Sequence, residues 1–403
     1  GDTAAPTADT TEAIGRHPVD AAAIPEALRQ PRPGTTAVTI APAGTAHLAA
    51  PPRRFITFMA IEADIALALG QGDGLVGCFD AVSLTRLQRL FYDHLPGVRL
   101  PLETLRDLSS ADRVDPEAFY RLAPDAILVD PRLPLVFWDW TAEQVAQVAR
   151  RTGPFLGNFI RFGRDERWGP PYPQYTLDAY HARLAALFQA ESRYRRFAAF
   201  RDAMLTRIWE RLPPVEERPA ICLINAGSQP ERGLFYLVDL HGRDRNPAAD
   251  PDRPAGGCWV QQYQDLGLRQ AFAFDRFATG RFGLCDYETL AAIDPPLIII
   301  QWGLTGCADA ADFARRYLEP MRRHPIGRRL RAVREDRVIP GGTAEQGPIT
   351  HLFQLEMAAQ QLFPERFGTW VWGQAPVEPL FDRAALAAII RGLPDPDAAS
   401  EMP

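Results

Sequence analysis

One fifteen-residue pattern occurs once in each half of this 403-residue chain, and it constrains the fold more than any other feature. The first copy reads Asp115-Pro-Glu117-Ala-Phe-Tyr-Arg-Leu-Ala-Pro124-Asp-Ala-Ile-Leu-Val129, and the second Asp286-Tyr-Glu288-Thr-Leu-Ala-Ala-Ile-Asp-Pro295-Pro-Leu-Ile-Ile-Ile300. Each places an acidic residue at a helix start, then a short helix, a proline seven residues after the Glu, and a buried strand. A chain carrying this unit twice is expected to build two related lobes, each with a helix feeding a strand.

The rest of the pattern agrees. Arg54–Phe58, Leu75–Phe79 and Ala126–Val129 read as strands in the first half, with helical spacing over Glu62–Leu69 between the first two. Ala220–Asn225 and Leu297–Gln301 read as strands in the second half, and Leu352–Leu362 as a helix. Strands alternating with helices predict an α/β fold with mostly parallel sheets. Between the halves, apolar residues recur at helical spacing from Leu177 through Tyr180, Leu184, Leu187, Tyr194, Phe197 and Leu205 to Ile208. This predicts one helix over residues 176–212, about 50 Å long, joining the lobes. Pro213, Pro214 and Pro219 end it.

The expected organisation is therefore a tail over 1–52 with a short hairpin at its end (Ala37–Ile40 with Ala46–Ala49), an N-terminal lobe over 53–175, the joining helix over 176–212, a C-terminal lobe over 213–370, and an extension over 371–403.

Charge excludes several functions. There are 44 basic residues against 50 acids, a net of −6, which gives a polyanion such as DNA or RNA no footing over the molecule as a whole. All 44 are arginine. Without lysine there is no Walker A loop, no pyridoxal Schiff base and no kinase strand lysine. No uninterrupted apolar run reaches the length of a membrane span, and no signal-peptide pattern stands at Gly1, as expected for a processed secreted protein.

The five cysteines, Cys78, Cys222, Cys258, Cys285 and Cys307, are too far apart for a CxxC motif. Two readings stand: one disulfide among Cys258, Cys285 and Cys307 in an oxidising compartment, or five reduced thiols. Cys222 lies inside an apolar strand and is expected to be free.

Gly72-Asp-Gly74-Leu-Val-Gly77 matches the dinucleotide string GxGxxG, but its glycines end a helix and enter a strand, the reverse of what pyrophosphate binding needs. It reads as a helix-terminating turn. No GxSxG elbow is present, and the seven histidines form no HxxxH or HExxH pair, so hydrolase chemistry and a resident metal site are both disfavoured. The histidines are expected in loops or on the surface.

Aromatic and arginine side chains concentrate where the strands should end, which is where ligands bind in open α/β sheets. Trp138, Trp140, Arg161, Arg164, Tyr236, Trp259, Arg276 and Trp302 are the candidate ligand-binding residues, with core packing the competing reading for about half of the aromatics. Flat aromatic faces with arginine suit a bulky, partly apolar, anionic ligand such as a metal chelate.

Several ordered segments carry a resemblance to a known family. They are Arg53-Arg54-Phe-Ile-Thr-Phe with Glu62-Ala-Asp-Ile-Ala-Leu-Ala-Leu-Gly70; Gly72–Gly77; Val114–Glu117 through Leu122–Val129; the joining helix; His324–Leu330 with Ala332–Val338; and Gln346–Ile349 through Leu352–Glu356 to Leu362–Glu365. Over residues 37–367 the chain resembles the class III solute-binding proteins of ABC importers, which carry ferric siderophores, haem and cobalamin. The resemblance implies two α/β lobes joined by one long spanning helix, with the ligand held between them. It implies no catalysis, no cofactor and a monomer peripheral to the membrane, in the periplasm or on the cell surface, with or without a lipid anchor. It also implies that Glu117 and Glu288 dock on arginines of the permease; the alternative is that each only stabilises its helix N-terminus. The Arg243–Gly257 loop and the chain after Phe367 depart from the family.

The expected function is capture of a metal chelate, a ferric siderophore ahead of haem or cobalamin, for delivery to an ABC permease. An enzyme on a related two-lobe scaffold, with a metal cluster or a nucleotide-sugar substrate, and a surface haem receptor without an importer are the alternatives. One-to-one uptake of a coloured ferric chelate without turnover separates binder from enzyme.

Overall fold

The computed structural model describes residues 36–58, 60–158, 175–240, 260–277, 283–343 and 346–396. These form two compact units. One comprises residues 36–202, 346–350 and 381–396, and the other residues 203–343 and 351–380.

The N-terminal unit starts with an antiparallel hairpin, β1 (Thr36–Ile40) and β2 (Gly44–Leu48). It is packed rather than tethered: Val38, Ile40 and Ala46 are buried, the Ala41 N–H donates to the Tyr175 hydroxyl at 2.8 Å, and Asn158 donates to the Ala41 carbonyl at 2.7 Å. The hairpin stands in the part of the tail where it was expected.

A parallel four-stranded sheet follows, in the order β5-β4-β3-β6, from β3 (Phe55–Thr57), β4 (Leu75–Cys78), β5 (Arg106–Asp107) and β6 (Ala126–Leu128). Of the helices, α1 (Ala60–Ala68) follows β3 and is almost wholly buried. Gly70 adopts φ +73° and a short 3-10 turn at Gly72–Gly74 leads into β4, so the glycine string terminates a helix as expected. α2 (Pro116–Leu122) precedes β6, and α3 (Ala142–Arg151) has a Thr141/Gln144 capping box. Phe155 bridges Ile127 in parallel beside β6; Cβ atoms at Gly153 and Gly157 would sit 2.1 Å from the Asp125 carbonyl oxygen and 2.4 Å from the Asp130 nitrogen, so only glycine lets this segment lie so close.

The single helix expected over 176–212 is two helices, α4 (Leu177–Leu187) and α5 (Glu191–Trp209). Gln189 takes φ +52° between them. The Ala190 N–H reaches back to the Ala185 carbonyl at 2.8 Å and the Gln189 N–H to Ala186 at 3.2 Å, the paired bonds of a Schellman end. The interruption keeps the apolar period of both halves, which is why periodicity alone did not reveal it. The longer piece, α5, holds the point where the chain passes from one unit to the other.

The C-terminal unit is a six-stranded mixed sheet. Its path runs β10-β8-β7-β11-β12, with β9 (Arg269–Gln270) also on β7 (Ala220–Asn225). β11 (Ile298–Gln301) lies between β7 and β12 (Val338–Pro340), parallel to both, while β8 (Phe235–Val238) runs antiparallel to β7 and β10 (Leu284–Cys285) antiparallel to β8. Every residue of β11 is buried, as a strand covered on both faces must be. α6 (Tyr287–Ile293) precedes β11, α7 (Glu319–Arg323) and α8 (Arg331–Arg334) precede β12, and α9 (Pro348–Leu362) follows it. A last helix, α10 (Arg383–Arg391), buries Leu386–Ile390 in the N-terminal unit, where the Ile390 carbonyl accepts from Arg193.

The first turn of α9 belongs with the N-terminal unit. There the fully buried Asp64 accepts from the Ile349 N–H at 2.8 Å, the Thr350 N–H at 3.2 Å and the Tyr92 hydroxyl at 2.6 Å. Burial nevertheless raises its carboxyl to about 6.

Among the described residues there is no disulfide: Cys285 and Cys307 are both free and buried in the core of the C-terminal unit. Both side chains pack in the apolar cluster that also holds Cys222, and burial pushes Cys285 up to about 12. Cys222 and Cys78 are also free, and Cys258 lies outside the described residues. The histidines divide: His181 and His351 are buried, contrary to the surface expectation, because each packs into a helix interface rather than a loop.

Candidate functional site

The carboxyl end of β7 opens into a pocket of about 460 Å³ within the C-terminal unit. Its floor is the turn Asn225-Ala-Gly-Ser228. Asn225 Oδ1 accepts from the Gly227 N–H at 2.7 Å, the Asn225 carbonyl accepts from the Ser228 N–H at 2.9 Å, and Ser228 Oγ accepts from the Tyr236 N–H at 2.9 Å. Ser228 is thus a turn-fixing residue.

One wall is a π-helical turn, Ala314–Leu318, inserted between two α-helical segments; such insertions recur at functional sites. It presents Arg315, Arg316 and Tyr317, and α7 adds Arg323. The Tyr317 hydroxyl donates to the Ala226 carbonyl at 2.6 Å, tying wall to floor.

Arg315 and Arg316 share Asp312: Arg315 contacts its carboxylate directly, and Arg316 Nε bonds it at 3.0 Å. The Ala308 N–H, together with both arginines, holds the Asp312 carboxyl below the usual carboxylate range. Arg316 also donates to the Gly306 carbonyl at 3.0 Å. Asp312 is therefore ionised and positions two guanidinium groups, each of which keeps donors to spare. Glu231 is the one acid in the lining and Asp312 stands behind two of the arginines, so three arginines meet two carboxylates and leave a net positive charge. The chemistry offered is recognition of anionic oxygen groups by charge-assisted hydrogen bonds.

The residues picked out in the sequence separate into groups. Tyr236 is half-buried on β8, and its N–H bonds the pocket residue Ser228. Trp302 stands at the end of β11 with φ +71°, next to the strand position that pairs with Asn225. Arg276 is exposed and lies over the Phe277 ring at 5.1 Å, away from the pocket lining.

Trp138 and Trp140 belong to the core of the N-terminal unit. Trp140 is 5 % exposed, its Nε1–H is used by the Val114 carbonyl at 2.9 Å, and it packs edge-on to Phe119 at 5.3 Å, so its role is structural. Trp138, 9 % exposed, stacks on Phe79 at 4.8 Å; Phe79 in turn meets Phe58, and both of these are half-buried just past the ends of β4 and β3. Arg161, Arg164 and Trp259 lie outside the described residues. Glu117 and Glu288 are exposed at the second position of α2 and α6.

The arginines that line the pocket were missed. Their signal was present as two Arg-Arg pairs, Arg315-Arg316 and Arg322-Arg323, one helical repeat apart on a short segment after a buried strand.

No family model matches the sequence, and no curated protein matches it. Solved structures do. The iron uptake ABC transporter substrate-binding protein PiuA from Streptococcus pneumoniae superposes with a TM-score of 0.52 at 16% identity, over 80% of this chain and 96% of that one. A periplasmic binding protein from Veillonella parvula gives 0.53 at 14% identity, over 79% and 87%. Helicobacter pylori CeuE, solved as a nickel–histidine complex, gives 0.51 at 16% identity, over 83% and 90%. With its two α/β units and a helix carrying the chain from one to the other, this protein has the fold of the class III substrate-binding proteins of ABC importers.

Proposed function

We propose that the protein is an extracytoplasmic substrate-binding protein of an ABC importer that captures an anionic metal chelate, a ferric siderophore first among them, and hands it to the permease. The carrying observation is the arginine-lined pocket at the carboxyl end of β7 on a fold shared with an iron-uptake binding protein. Its volume falls in the range of small-molecule sites, and three arginines against Glu231 and Asp312 leave a positive charge and spare donors that match a ligand with anionic oxygens. Tyr317 supplies the aromatic ring in the lining, while Trp302 and Tyr236 stand beside the same strand ends. The lining offers charge and shape but no nucleophile paired with a base, which accords with binding rather than catalysis.

Glu117 and Glu288 would meet the permease. Both are exposed, and each occupies the same position of a matching short helix.

Titration of tryptophan fluorescence with ferric siderophores, haem and cobalamin tests the ligand class. Arg315→Ala and Arg316→Ala should each weaken binding by about 1 to 3 kcal/mol with the fold retained. Unchanged affinity in both rejects the site. For the docking role, the Glu117→Ala/Glu288→Ala double variant should bind ligand normally but lose importer-dependent uptake; normal uptake rejects it.

A further inference from the structure

Charge in this molecule is distributed very unevenly. Residues 315–337 hold nine arginines against Glu319, Glu335 and Asp336, a net of +6 in a chain whose total is −6. The second half of this stretch is one continuous surface of the C-terminal unit: the end of α7, a 3-10 turn at Gly327–Arg329, and α8, packed on one another. Arg322, Arg323, Arg328, Arg329, Arg331 and Arg334 are all exposed on it.

Little there neutralises them. Arg322 pairs with Asp336 at 2.6 Å and Arg331 with Glu335 at 3.2 Å, both in solvent, where such pairs hold their charges loosely. Arg323, Arg328, Arg329 and Arg334 form no ion pair among the described residues. The arginines beneath a binding pocket have a purpose there; Arg328, Arg329 and Arg334 line no part of it.

The backing of this surface is rigid. His324 stacks on Tyr287 with ring centres 3.7 Å apart, its Nδ1 accepts from the Ile326 and Gly327 N–H groups, and a Cβ at Gly327 would lie 2.8 Å from the Tyr287 ring. Asp294 accepts from the Arg331 N–H at 2.9 Å. The exposed residues of the face are arginines and a proline, with Glu335 and Asp336 at its edge and no aromatic among them, which gives phosphate groups a seat and nucleobases nothing to stack on.

We propose that this arginine face seats on the headgroups of an anionic phospholipid surface. Arginine at such a surface gains from the negative surface potential and from direct phosphate pairing. The face adjoins α6, whose Glu288 would meet the permease on the function proposed above, and a membrane seat there would hold the protein in the plane where the permease is found. The lipid contact itself does not depend on that function.

Co-sedimentation of the full chain with vesicles tests it directly. Vesicles of phosphatidylglycerol and phosphatidylcholine should retain the protein at low salt, release it near about 0.5 M salt, and bind it far more strongly than pure phosphatidylcholine. Each arginine removed should cost about fivefold in partitioning, so the Arg328→Gln/Arg329→Gln/Arg334→Gln variant should lose about a hundredfold. A control with the same charge change elsewhere, Arg89→Gln/Arg99→Gln/Arg113→Gln, should keep most of the binding, and circular dichroism should show all three proteins folded. Equal loss in the control, equal binding by the triple variant, or no preference for anionic vesicles overturns the proposal. So does duplex DNA binding as tightly as the vesicles at the same salt. Because no permease and no chelate are present, these outcomes leave the importer reading untouched.

Discussion

α2 and α6 are built to the same local recipe and are used differently. Each has an Asp cap, a Glu at the second helical position and seven helical residues, and each is closed by a non-glycine residue in the left-handed region, Ala123 at φ +47° and Asp294 at φ +43°. A proline and a buried strand follow in both. The differences lie in what surrounds them. α2 begins on Pro116, and its strand β6 ends the four-stranded path of its sheet. α6 begins on Tyr287, fully buried, whose hydroxyl donates to the Pro230 carbonyl at 2.7 Å and whose ring meets Phe235 and His324; its strand is central. A repeated sequence thus fixes local geometry, while the first helical residue decides whether the helix is welded into the core.

Substitution at that residue should break the comparison most. Tyr287→Ala should destabilise the protein by about 3 to 5 kcal/mol, as for other large buried aromatics, whereas Pro116→Ala should change stability by only about 0.5 kcal/mol. Urea unfolding measures both, and similar losses would show the two helices to be equally embedded.

The caps come next. Asp286 accepts from both the backbone N–H and the hydroxyl of Thr289, at 2.9 Å each, while Asp115 accepts only from the Glu117 N–H at 3.0 Å. Replacement by Ala should cost about 1 kcal/mol at each, more at Asp286. The Thr289 bonds hold the Asp286 carboxyl below its ordinary value, so its stabilising contribution is present above the unfolded pKa and lost as pH falls through the folded one. The Asp286→Ala variant should therefore differ from the wild type down to about pH 4 and converge on it only as the pH falls further, through the lowered folded value.

The smallest effect sharpens the comparison at the other end. Ala123→Gly removes the cost of a positive φ and should stabilise by roughly 0.5 to 1 kcal/mol. Asp294→Gly gains the same relief but loses the bond to the Arg331 N–H, so its thermal midpoint should barely move.

These contrasts also explain how much of the molecule could be read in advance. Ala220–Asn225 and Leu297–Gln301 announced themselves because a strand buried on both faces is a short apolar run between Pro and polar residues. The break at Gln189 gave no warning, since glutamine is a good helix former and its left-handed turn directly follows the buried Leu187 and Phe188, which continue the apolar pattern. Trp140 read as a candidate because a tryptophan-rich stretch between strands looks the same whether its rings face a ligand or, as for Trp140, pack on Phe119 and Phe155. The arginine pocket depends on a π-turn bringing Arg315 and Arg316 to the turn after β7, a meeting of segments some ninety positions apart that no local pattern encodes.

Asp64 carries one further consequence, in protons rather than contacts. Its folded value, near 6, lies above the 3.8 of an ordinary aspartate, so between those two pH values the folded chain holds a proton that the unfolded chain releases. Folding at pH 5 should therefore take up that proton, which refolding in a weakly buffered solution with a pH electrode would register, and an Asp64→Asn variant should not show it. The sign follows directly: this group favours the folded state most fully below pH 4, and the benefit is lost as the pH rises through 6. The first turn of α9, held by Asp64, is then a place where mild acid tightens the protein instead of loosening it.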